Sequence, residues 1–253
     1  MPPSKRPPRR KTHRPFRVVF EDVHLLVADK DPGILTVPLP GKRSRNLKDL
    51  LDRYLVSQKR EALPVHRIDR YTSGLVVFAK NRRAREHLVR QFRARTPERV
   101  YLALVRGAVA PDEGTLRHRL ELTQHGFRQR LARQGGTEAI THFRVLERFA
   151  EGTLLEVRLE TGLKNQIRVQ FRAAGYPLVG DRHYAREEAA EVFLKRQALH
   201  AWKLGFLHPV TKRPMEFEAP LAPDMDRLIR RWRRAAGRDE PRRGAASGRA
   251  GSE

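Results

Sequence analysis

The chain has 253 residues and no cysteine, and its 53 Lys and Arg residues outnumber 29 Asp and Glu residues, giving a net charge of +24. Without cysteine, disulfide scaffolds, thiolate metal sites and cysteine nucleophiles are excluded. No apolar run reaches the ~18 residues of a membrane-spanning helix, so we expect a cytoplasmic protein with no membrane partner. The excess of positive charge indicates a polyanionic partner, with nucleic acid as the first candidate.

The predicted elements follow from the spacing of apolar residues, which form short runs in strands and recur every three to four positions in helices. In chain order they are strands over 17–20, 24–29 and 34–37, a helix over 47–58, a strand over 74–79, a helix over 82–95, strands over 100–105, 115–120, 127–132, 139–149 and 153–160, a helix over 165–174, strands over 198–207 and 215–217, and a helix over 222–236. Strands dominate and the helices do not alternate regularly with them. This pattern predicts an α+β fold on a largely antiparallel mixed sheet with flanking helices.

Composition predicts the domain boundaries. Residues 1–15 carry six Lys and Arg, five Pro and no acid, and residues 237–253 are rich in Arg, Gly and Ala. Segments of this kind bury too little apolar surface to fold alone, so both are expected to be disordered basic tails. The span 16–236 contains no repeat and no linker, and we expect it to form one domain.

General catalytic motifs are missing from the sequence. It has no G-x-x-x-x-G-K phosphate loop, no G-x-G-x-x-G, no H-E-x-x-H and no G-x-S-x-G nucleophile elbow. Its ten His residues are scattered without metal-ligand spacing, so no metal is expected.

One short segment stands out, because Asp69 lies between Arg67 and Arg70 just before the strand predicted over 74–79. A carboxylate between two cationic side chains is a candidate catalytic group. An Asp at such a position can equally cap a turn. The spacing alone leaves both interpretations open.

The same segment, HRIDRYTSGL, resembles the H-R-L-D-x-x-T-S-G-L signature of the RluA family of pseudouridine synthases. Further blocks resemble that family in the same order along the chain. They are VVFEDVHLLVADKDPGILTVP, RVYLALVRG, TGLKNQIRVQFRAAGYPLVGDRHY and QALHAWKLGFLHPVTKRPMEFEAPLAPDM. Together the five blocks span about residues 18–226, and the chain is identified as a member of this family.

The resemblance implies a pseudouridine synthase catalytic domain over 16–236. It also implies conversion of uridine to pseudouridine in structured ribosomal or transfer RNA, with base flipping, by a monomer that uses no cofactor and no metal. Asp69 is then the catalytic carboxylate, acting either as a nucleophile on the ribose anomeric carbon or through ribose deprotonation. Arg168 is expected to pair with Asp69, and Tyr101 to stack on the uracil and to remove the proton from its carbon 5.

The resemblance also implies contacts to RNA. Arg67 is expected to occupy the space left by the flipped nucleotide. Contacts to the RNA are also expected from Arg70, Lys80 and Lys164. Two further candidates for contacts to the RNA backbone are Lys30 and Arg82.

Other residues of the blocks are expected to have structural roles. Thr72, Ser73 and Gly74 are expected to shape the loop around Asp69. His66 and His200 are expected to form hydrogen bonds within the fold.

The chain departs from the family pattern at Leu163, where the family has Arg, and at Asn165 and Gln170, where it has His. These departures leave the choice of target RNA open. An S4-type RNA-binding domain often precedes the catalytic domain in this family, and none is expected here. The alternative function is a non-catalytic, basic RNA-binding or ribosome-associated protein on the same scaffold. An acid in a basic cleft repels phosphate, so the presence of Asp69 favours the enzyme.

Overall fold

The computed structural model describes residues 14–41, 43–123, 128–185 and 194–237. The basic tails predicted at 1–15 and 237–253 lie outside the described residues, except for residues 14, 15 and 237. The strands are β1 (Phe16–Glu21), β2 (Leu25–Lys30), β3 (Leu63–Pro64), β4 (Ser73–Ala79), β5 (Glu98–Arg106), β6 (Glu113–Leu122), β7 (Gln129–Leu131), β8 (Thr137–Arg148), β9 (Gly152–Leu159), β10 (Leu199–Leu207) and β11 (Pro214–Glu218). The helices are α1 (Leu47–Leu55), which continues as a 3-10 turn (Val56–Gln58), α2 (Arg82–Arg93), α3 (Gln166–Ala173) and α4 (Pro223–Ala235).

The described strands form one sheet in the order β1–β2–β4–β10–β5–β9–β8–β6–β7, with β3 beside β4 and β11 beside β10. The pairing of β4 with β10 is parallel, and the other pairings are antiparallel. The predicted α+β fold on a largely antiparallel mixed sheet is therefore confirmed. All four predicted helices form, while the two-residue strand β3 was not predicted.

The strand predicted over 34–37 is wrong. Leu35 makes only an isolated bridge outside the strands. Thr36 turns its hydroxyl to the carbonyl oxygen of Ile68, to which it donates a hydrogen bond of 2.8 Å. The turn before this segment, with Gly33 at a φ of +98°, directs the chain away from the sheet. The segment therefore supports the loop that contains Ile68 instead of extending the sheet.

The two faces of the sheet carry different helices. Side chains of β2, β4, β5 and β10 alternate between two apolar layers, as the two-residue period of a strand requires. One layer packs against α1 and α3, where Leu51 and Phe171 are buried. The opposite layers pack against α2 and α4 through Leu88 and Trp232. Tyr101 of β5 belongs to the layer under α1 and α3.

Helix α1 begins at Asn46, whose side-chain oxygen accepts a hydrogen bond from the backbone N–H of Asp49 at 2.9 Å. Leu47, Leu51 and Leu55 recur at four-residue spacing and are fully buried. Truncating one of them to Ala would cost about 2–5 kcal/mol. Among the described residues, no helix is long and apolar enough to cross a membrane.

Candidate active site

A pocket of about 160 Å³ opens where the loop between β3 and β4 meets β5 and the start of α3. The loop supplies Arg67 and Asp69, strand β5 supplies Tyr101, and helix α3 supplies Arg168. Residues 99 positions apart in the chain, Asp69 and Arg168, are in direct contact here. The fold thus places the three predicted catalytic residues around one space.

The Asp69 carboxylate is held by two donors from the start of α3. Arg168 Nη1 donates to Asp69 Oδ2 at 3.1 Å, and Asn165 Nδ2 donates to the same oxygen at 2.7 Å. The side chain of Asp69 is 21% exposed. Within the described part of the chain, both of its side-chain hydrogen bonds end on Oδ2, so Oδ1 is the oxygen available to a molecule in the pocket.

Arg168 is oriented by a second, more deeply buried carboxylate. Its Nε and Nη2 donate to the two oxygens of Asp181 at 2.7 and 2.9 Å, a bidentate geometry that fixes the guanidinium plane. The guanidinium also lies 4.8 Å from the ring centroid of Tyr184. Burial by itself lowers the pKa of Arg168, but Asp181 and Asp69 outweigh it and raise the pKa overall. The arginine is therefore a permanent cation next to Asp69.

Tyr101 lines the pocket from the middle of β5 and is 8% exposed. Burial raises the pKa of Tyr101, the charge of Arg99 opposes this, and the charge of Asp69 adds to it. Its phenol is therefore protonated at neutral pH, and its ring presents a flat apolar surface to the pocket.

The loop that carries Asp69 is anchored on one side by Lys30 and Thr36. Lys30 Nζ donates to three carbonyl oxygens, those of Asp31, Ile34 and Arg70, at 3.0–3.1 Å. Burial lowers the pKa of Lys30 to about 7, with the charge of Arg196 acting in the same direction. The prediction that Lys30 contacts RNA is wrong, because its side chain is fully buried under the loop.

Arg196 anchors the other side of the loop and was not predicted. It forms a bidentate pair with Asp224 at the start of α4, both contacts at 2.7 Å. It also donates to the carbonyl oxygen of Tyr71 at 3.1 Å and to the Ser73 hydroxyl at 3.3 Å. A single arginine carries no local sequence signal for this role, because the role depends on three distant segments meeting.

Thr72, Ser73 and Gly74 form the junction between the loop and β4. The Ser73 hydroxyl lies 3.0 Å from His200 Nδ1. Gly74 has a φ of +106°, and a Cβ at this position would lie 2.2 Å from the carbonyl oxygen of Ala201. Only glycine fits at position 74. Thr72, Ser73 and Gly74 therefore lie where their contacts can shape the loop, as predicted.

Of the two predicted structural histidines, His200 is buried and His66 is half-buried. His66 Nε2 accepts a hydrogen bond from the backbone N–H of Val77 at 3.1 Å, and the ring stacks on Phe92 with centroids 4.4 Å apart. Burial, followed by the charge of Arg99, lowers the pKa of His66 to about 3. Burial lowers the pKa of His200 to about 4. Both rings are therefore neutral at physiological pH.

Among the residues predicted to contact RNA, Arg67, Lys164 and Arg70 lie at or near the pocket, whereas Lys80 and Arg82 do not. Arg67 is exposed and lines the pocket together with Lys164. Arg70 is exposed, donates from Nε to the carbonyl oxygen of Gly33 at 2.8 Å and lies beside the ring of Tyr71.

The prediction for Lys80 is wrong. Its Nζ is buried and lies 2.6 Å from Glu21 Oε1, 2.6 Å from the carbonyl oxygen of Asp22 and 2.7 Å from Gln58 Oε1. All three ammonium protons are thus used within the fold, and none is left for an RNA phosphate. Arg82 is exposed, but it lies on α2, on the sheet face opposite the pocket.

The departures from the family pattern have defined positions. Asn165 has a φ of +54°, a conformation that Asn tolerates, and it donates to Asp69. Gln170 is fully buried: Thr141 donates to its carbonyl oxygen at 2.6 Å, and its amide donates to two backbone carbonyl oxygens. Leu163 lines the pocket. Asn165 is therefore part of the site, whereas Gln170 connects α3 to β6 and β8.

The described residues contain no group of three or more His, Asp or Glu side chains that could hold a metal ion. The pocket itself presents a carboxylate, a fixed guanidinium and a phenol. A carboxylate of this kind can bond to or deprotonate a sugar, and the phenol ring can stack on a base.

Comparison with known proteins shows the family of the chain. The family model described as RNA pseudouridylate synthase matches residues 24–173. The uncharacterized RNA pseudouridine synthase YlyB of Bacillus subtilis is 39% identical over 222 residues, which cover 86% of this chain and 73% of that protein. Ribosomal large subunit pseudouridine synthase D of Nitrosomonas europaea is 40% identical over 228 residues, covering 85% of this chain and 64% of that protein.

Solved structures show the same fold. The human RNA pseudouridylate synthase domain containing 4 protein superposes with a TM-score of 0.70 at 21% identity, covering 85% of this chain and 92% of that one. The family match and the relatives define an RNA pseudouridine synthase, which is an isomerase, and the solved structure agrees with its α+β fold. The chain belongs to the RNA pseudouridylate synthase family, and its resemblance to the RluA family is confirmed.

Proposed function

We propose that this chain converts uridine to pseudouridine in RNA, with Asp69 as the catalytic residue. The convergence of Asp69, Tyr101 and Arg168 on one pocket carries the proposal. The net charge of +24 supports a polyanionic substrate. Because relatives such as the Nitrosomonas europaea protein carry large-subunit ribosomal names, we propose large-subunit ribosomal RNA ahead of transfer RNA.

The reaction moves one bond of the nucleotide. The bond between uracil N1 and ribose C1′ breaks, and its electron pair leaves with the uracil. Asp69 either bonds to C1′ through a carboxylate oxygen or takes a proton from C2′ to give an unsaturated sugar. The uracil turns, C5 bonds to C1′, and Asp69 is released or returns its proton. The proton on C5 is lost while N1 gains one, so the reaction balances without an oxidant or reductant.

The contacts of Asp69 suit this role. The two donors, Arg168 and Asn165, stabilise the carboxylate from one side through Oδ2. Oδ1 is left to face the sugar. Since Arg168 is fixed by Asp181, the guanidinium keeps Asp69 in one orientation while the sugar bonds change.

Tyr101 is the proposed partner of the base. Its ring holds the detached uracil in the pocket by stacking, so the base turns without escaping. Its hydroxyl oxygen is the proposed acceptor of the C5 proton, while its own O–H proton passes to water. Arg67, exposed at the pocket rim, is proposed to stack into the space that the flipped nucleotide leaves.

The alternative, a non-catalytic RNA-binding protein, accounts less well for the pocket. A non-catalytic RNA-binding protein has no use for an acidic side chain held by two donors in a pocket that would receive RNA. We further propose that the protein acts as a monomer in the cytoplasm, because one chain supplies all three catalytic residues of the pocket.

Incubation of the full chain with unmodified transcripts of large-subunit ribosomal RNA and transfer RNA tests the proposal. Pseudouridine is mapped by carbodiimide treatment and reverse transcription. We expect one or a few modified positions with the wild type and none with Asp69→Asn. Asp112→Asn is the matched control, because Asp112 is 86% exposed in its side chain and pairs with Arg148 outside the pocket. Equal product from Asp69→Asn and the wild type would refute the role of Asp69.

A further inference from the structure

A concave surface beside α1 is lined by four arginines, Arg14, Arg43, Arg45 and Arg53, and is named here the arginine groove. Two adjoining cavities of about 330 and 490 Å³ form it. Both are lined by Arg45, Leu50 and Arg53, so the groove is continuous. Nothing in the proposed chemistry uses it.

Aromatic rings form one wall of the groove. The guanidinium of Arg14 lies 5.5 Å from the ring centroid of Phe16 and 5.3 Å from that of Tyr54. The two rings meet edge to face with centroids 6.3 Å apart. Cationic side chains interleaved with aromatic rings are typical of surfaces that bind nucleic-acid strands.

The charge of the groove is strongly positive. Among the described residues, no carboxylate forms an ion pair with any of the four guanidinium groups. One acid, Asp49, lines the groove, and its Oδ2 accepts a hydrogen bond from Asn46 Nδ2 at 2.8 Å. Four positive charges around a concave surface concentrate the field and attract an anion.

The groove lies beside the candidate active site. The backbone N–H of Leu35 donates to the carbonyl oxygen of Arg45 at 3.4 Å, and the neighbouring Thr36 bonds to Ile68, which precedes Asp69. Residues Leu35 and Thr36 therefore connect the groove to the loop that carries Asp69 through one backbone and one side-chain hydrogen bond. Both sites are on the sheet face that α1 and α3 cover.

We propose that the arginine groove binds backbone phosphates of the nucleotides that flank the target uridine. This inference rests on the proposed function, since it takes RNA as the molecule whose base enters the pocket. Guanidinium groups recognise phosphate oxygens irrespective of base, so the groove adds affinity and register but no sequence preference. On this path the RNA strand leaves the pocket beside the 34–37 segment and continues over Arg45 and Arg43.

Salt-dependent binding tests the proposal. The probe is an unmodified transcript of large-subunit ribosomal RNA, and the groove variant is Arg43→Gln with Arg45→Gln. Two lost phosphate contacts should reduce the slope of log K against log salt by about 1.4–1.8. The matched control is Arg83→Gln with Arg90→Gln, which removes the same charge from two exposed arginines of α2 on the opposite sheet face.

We expect the slope of the control variant to stay at the wild-type value. A control whose slope falls as much as that of the groove variant would mean diffuse attraction and would overturn the proposal. An unchanged slope in the groove variant would also overturn it. Wild-type protein that makes no pseudouridine refutes the proposed function. If the wild type makes pseudouridine but the groove variant binds RNA with an unchanged salt slope, only the proposed role of the groove is refuted.

The absence of cysteine allows a direct map of the RNA path, because an introduced cysteine is the only one in the chain. Arg43→Cys carrying a tethered iron chelate cleaves nearby RNA by hydroxyl radicals. We expect cleavage within a few nucleotides of the modified uridine. Arg83→Cys with the same chelate should not cleave there. Cleavage far from the modified uridine with Arg43→Cys would contradict the proposed path.

Discussion

Replacing Asp181 with Asn removes the carboxylate that orients Arg168. Asp181 is 1% exposed in its side chain and Arg168 7%, so water replaces little of the lost interaction. Asn keeps one acceptor oxygen but turns an NH₂ donor towards the guanidinium, which has donors only. Arg168 is then left with Asp69 as its carboxylate partner.

Removing one partner of a buried ion pair costs about 3–5 kcal/mol. In a domain of this size each kcal/mol lowers the Tm by about 2–4 °C, so Asp181→Asn should melt roughly 6–20 °C below the wild type. Because the guanidinium loses its fixed plane, pseudouridine formation at saturating RNA should fall by about a hundredfold. RNA affinity should stay unchanged, since Asp181 is buried beneath the pocket.

Thermal unfolding and single-turnover rates at saturating RNA measure the two effects. Glu147→Gln is the control, because Glu147 accepts two hydrogen bonds from Arg233 at 2.8 and 2.9 Å on a much more exposed pair. Loss of the ion pair between Glu147 and Arg233 should lower the free energy of unfolding by less than about 1 kcal/mol. The reasoning about burial is refuted if Asp181→Asn is no less stable than Glu147→Gln. The positioning role is refuted if its rate matches the wild type.

Asn165→Gly keeps the left-handed backbone but removes the amide that donates to Asp69. A hydrogen bond to a charged group contributes about 1.5–3 kcal/mol, so the rate at saturating RNA should fall about tenfold or more. A wild-type rate would show that Arg168 alone is enough to hold Asp69 in its reactive position. His66 binds a proton in the unfolded chain below its ordinary pKa of 6.5, but in the fold its pKa is lowered to about 3 and the ring stays neutral down to that pH. The stability should therefore fall by about 2 kcal/mol between about pH 6.5 and 4.5 through this group. Urea unfolding of His66→Gln should lose that part of the pH dependence, and an unchanged dependence would contradict a neutral His66 ring in the fold.

Much of the fold could be predicted from local patterns. Helix α1 follows from Leu47, Leu51 and Leu55 at four-residue spacing, and β4 from an uninterrupted apolar run. These patterns are local, because the spacing of apolar residues within a segment records whether one face or both faces of the element are buried. The segment over 34–37 has the same apolar character and forms no strand. Its hydrogen-bond partners are distant residues such as Ile68, and no local pattern records them.

The residues of the candidate site were also predictable only in part. Catalytic roles for Asp69, Tyr101 and Arg168 were predicted from short blocks that resemble the family, and all three residues line one pocket. Lys80 could not be distinguished from a surface lysine, since its burial depends on Glu21 and Gln58 lying next to it in space. A charged residue looks the same in sequence whether its partner is an RNA phosphate or a carboxylate of the same chain.

Composition predicted a basic protein with a polyanionic partner, and the order of the family-like blocks predicted an α+β pseudouridine synthase with Asp69 as its catalytic residue. Three-dimensional contacts were needed to show that Asp181 orients Arg168, that Arg196 holds the loop carrying Asp69, and that Asn165 donates to Asp69. They also show that the arginine groove adjoins the pocket. The reason is physical: helix and strand patterns depend on neighbours within a few residues. Ion pairs and grooves form between segments far apart in the chain, whose proximity exists only in the folded protein.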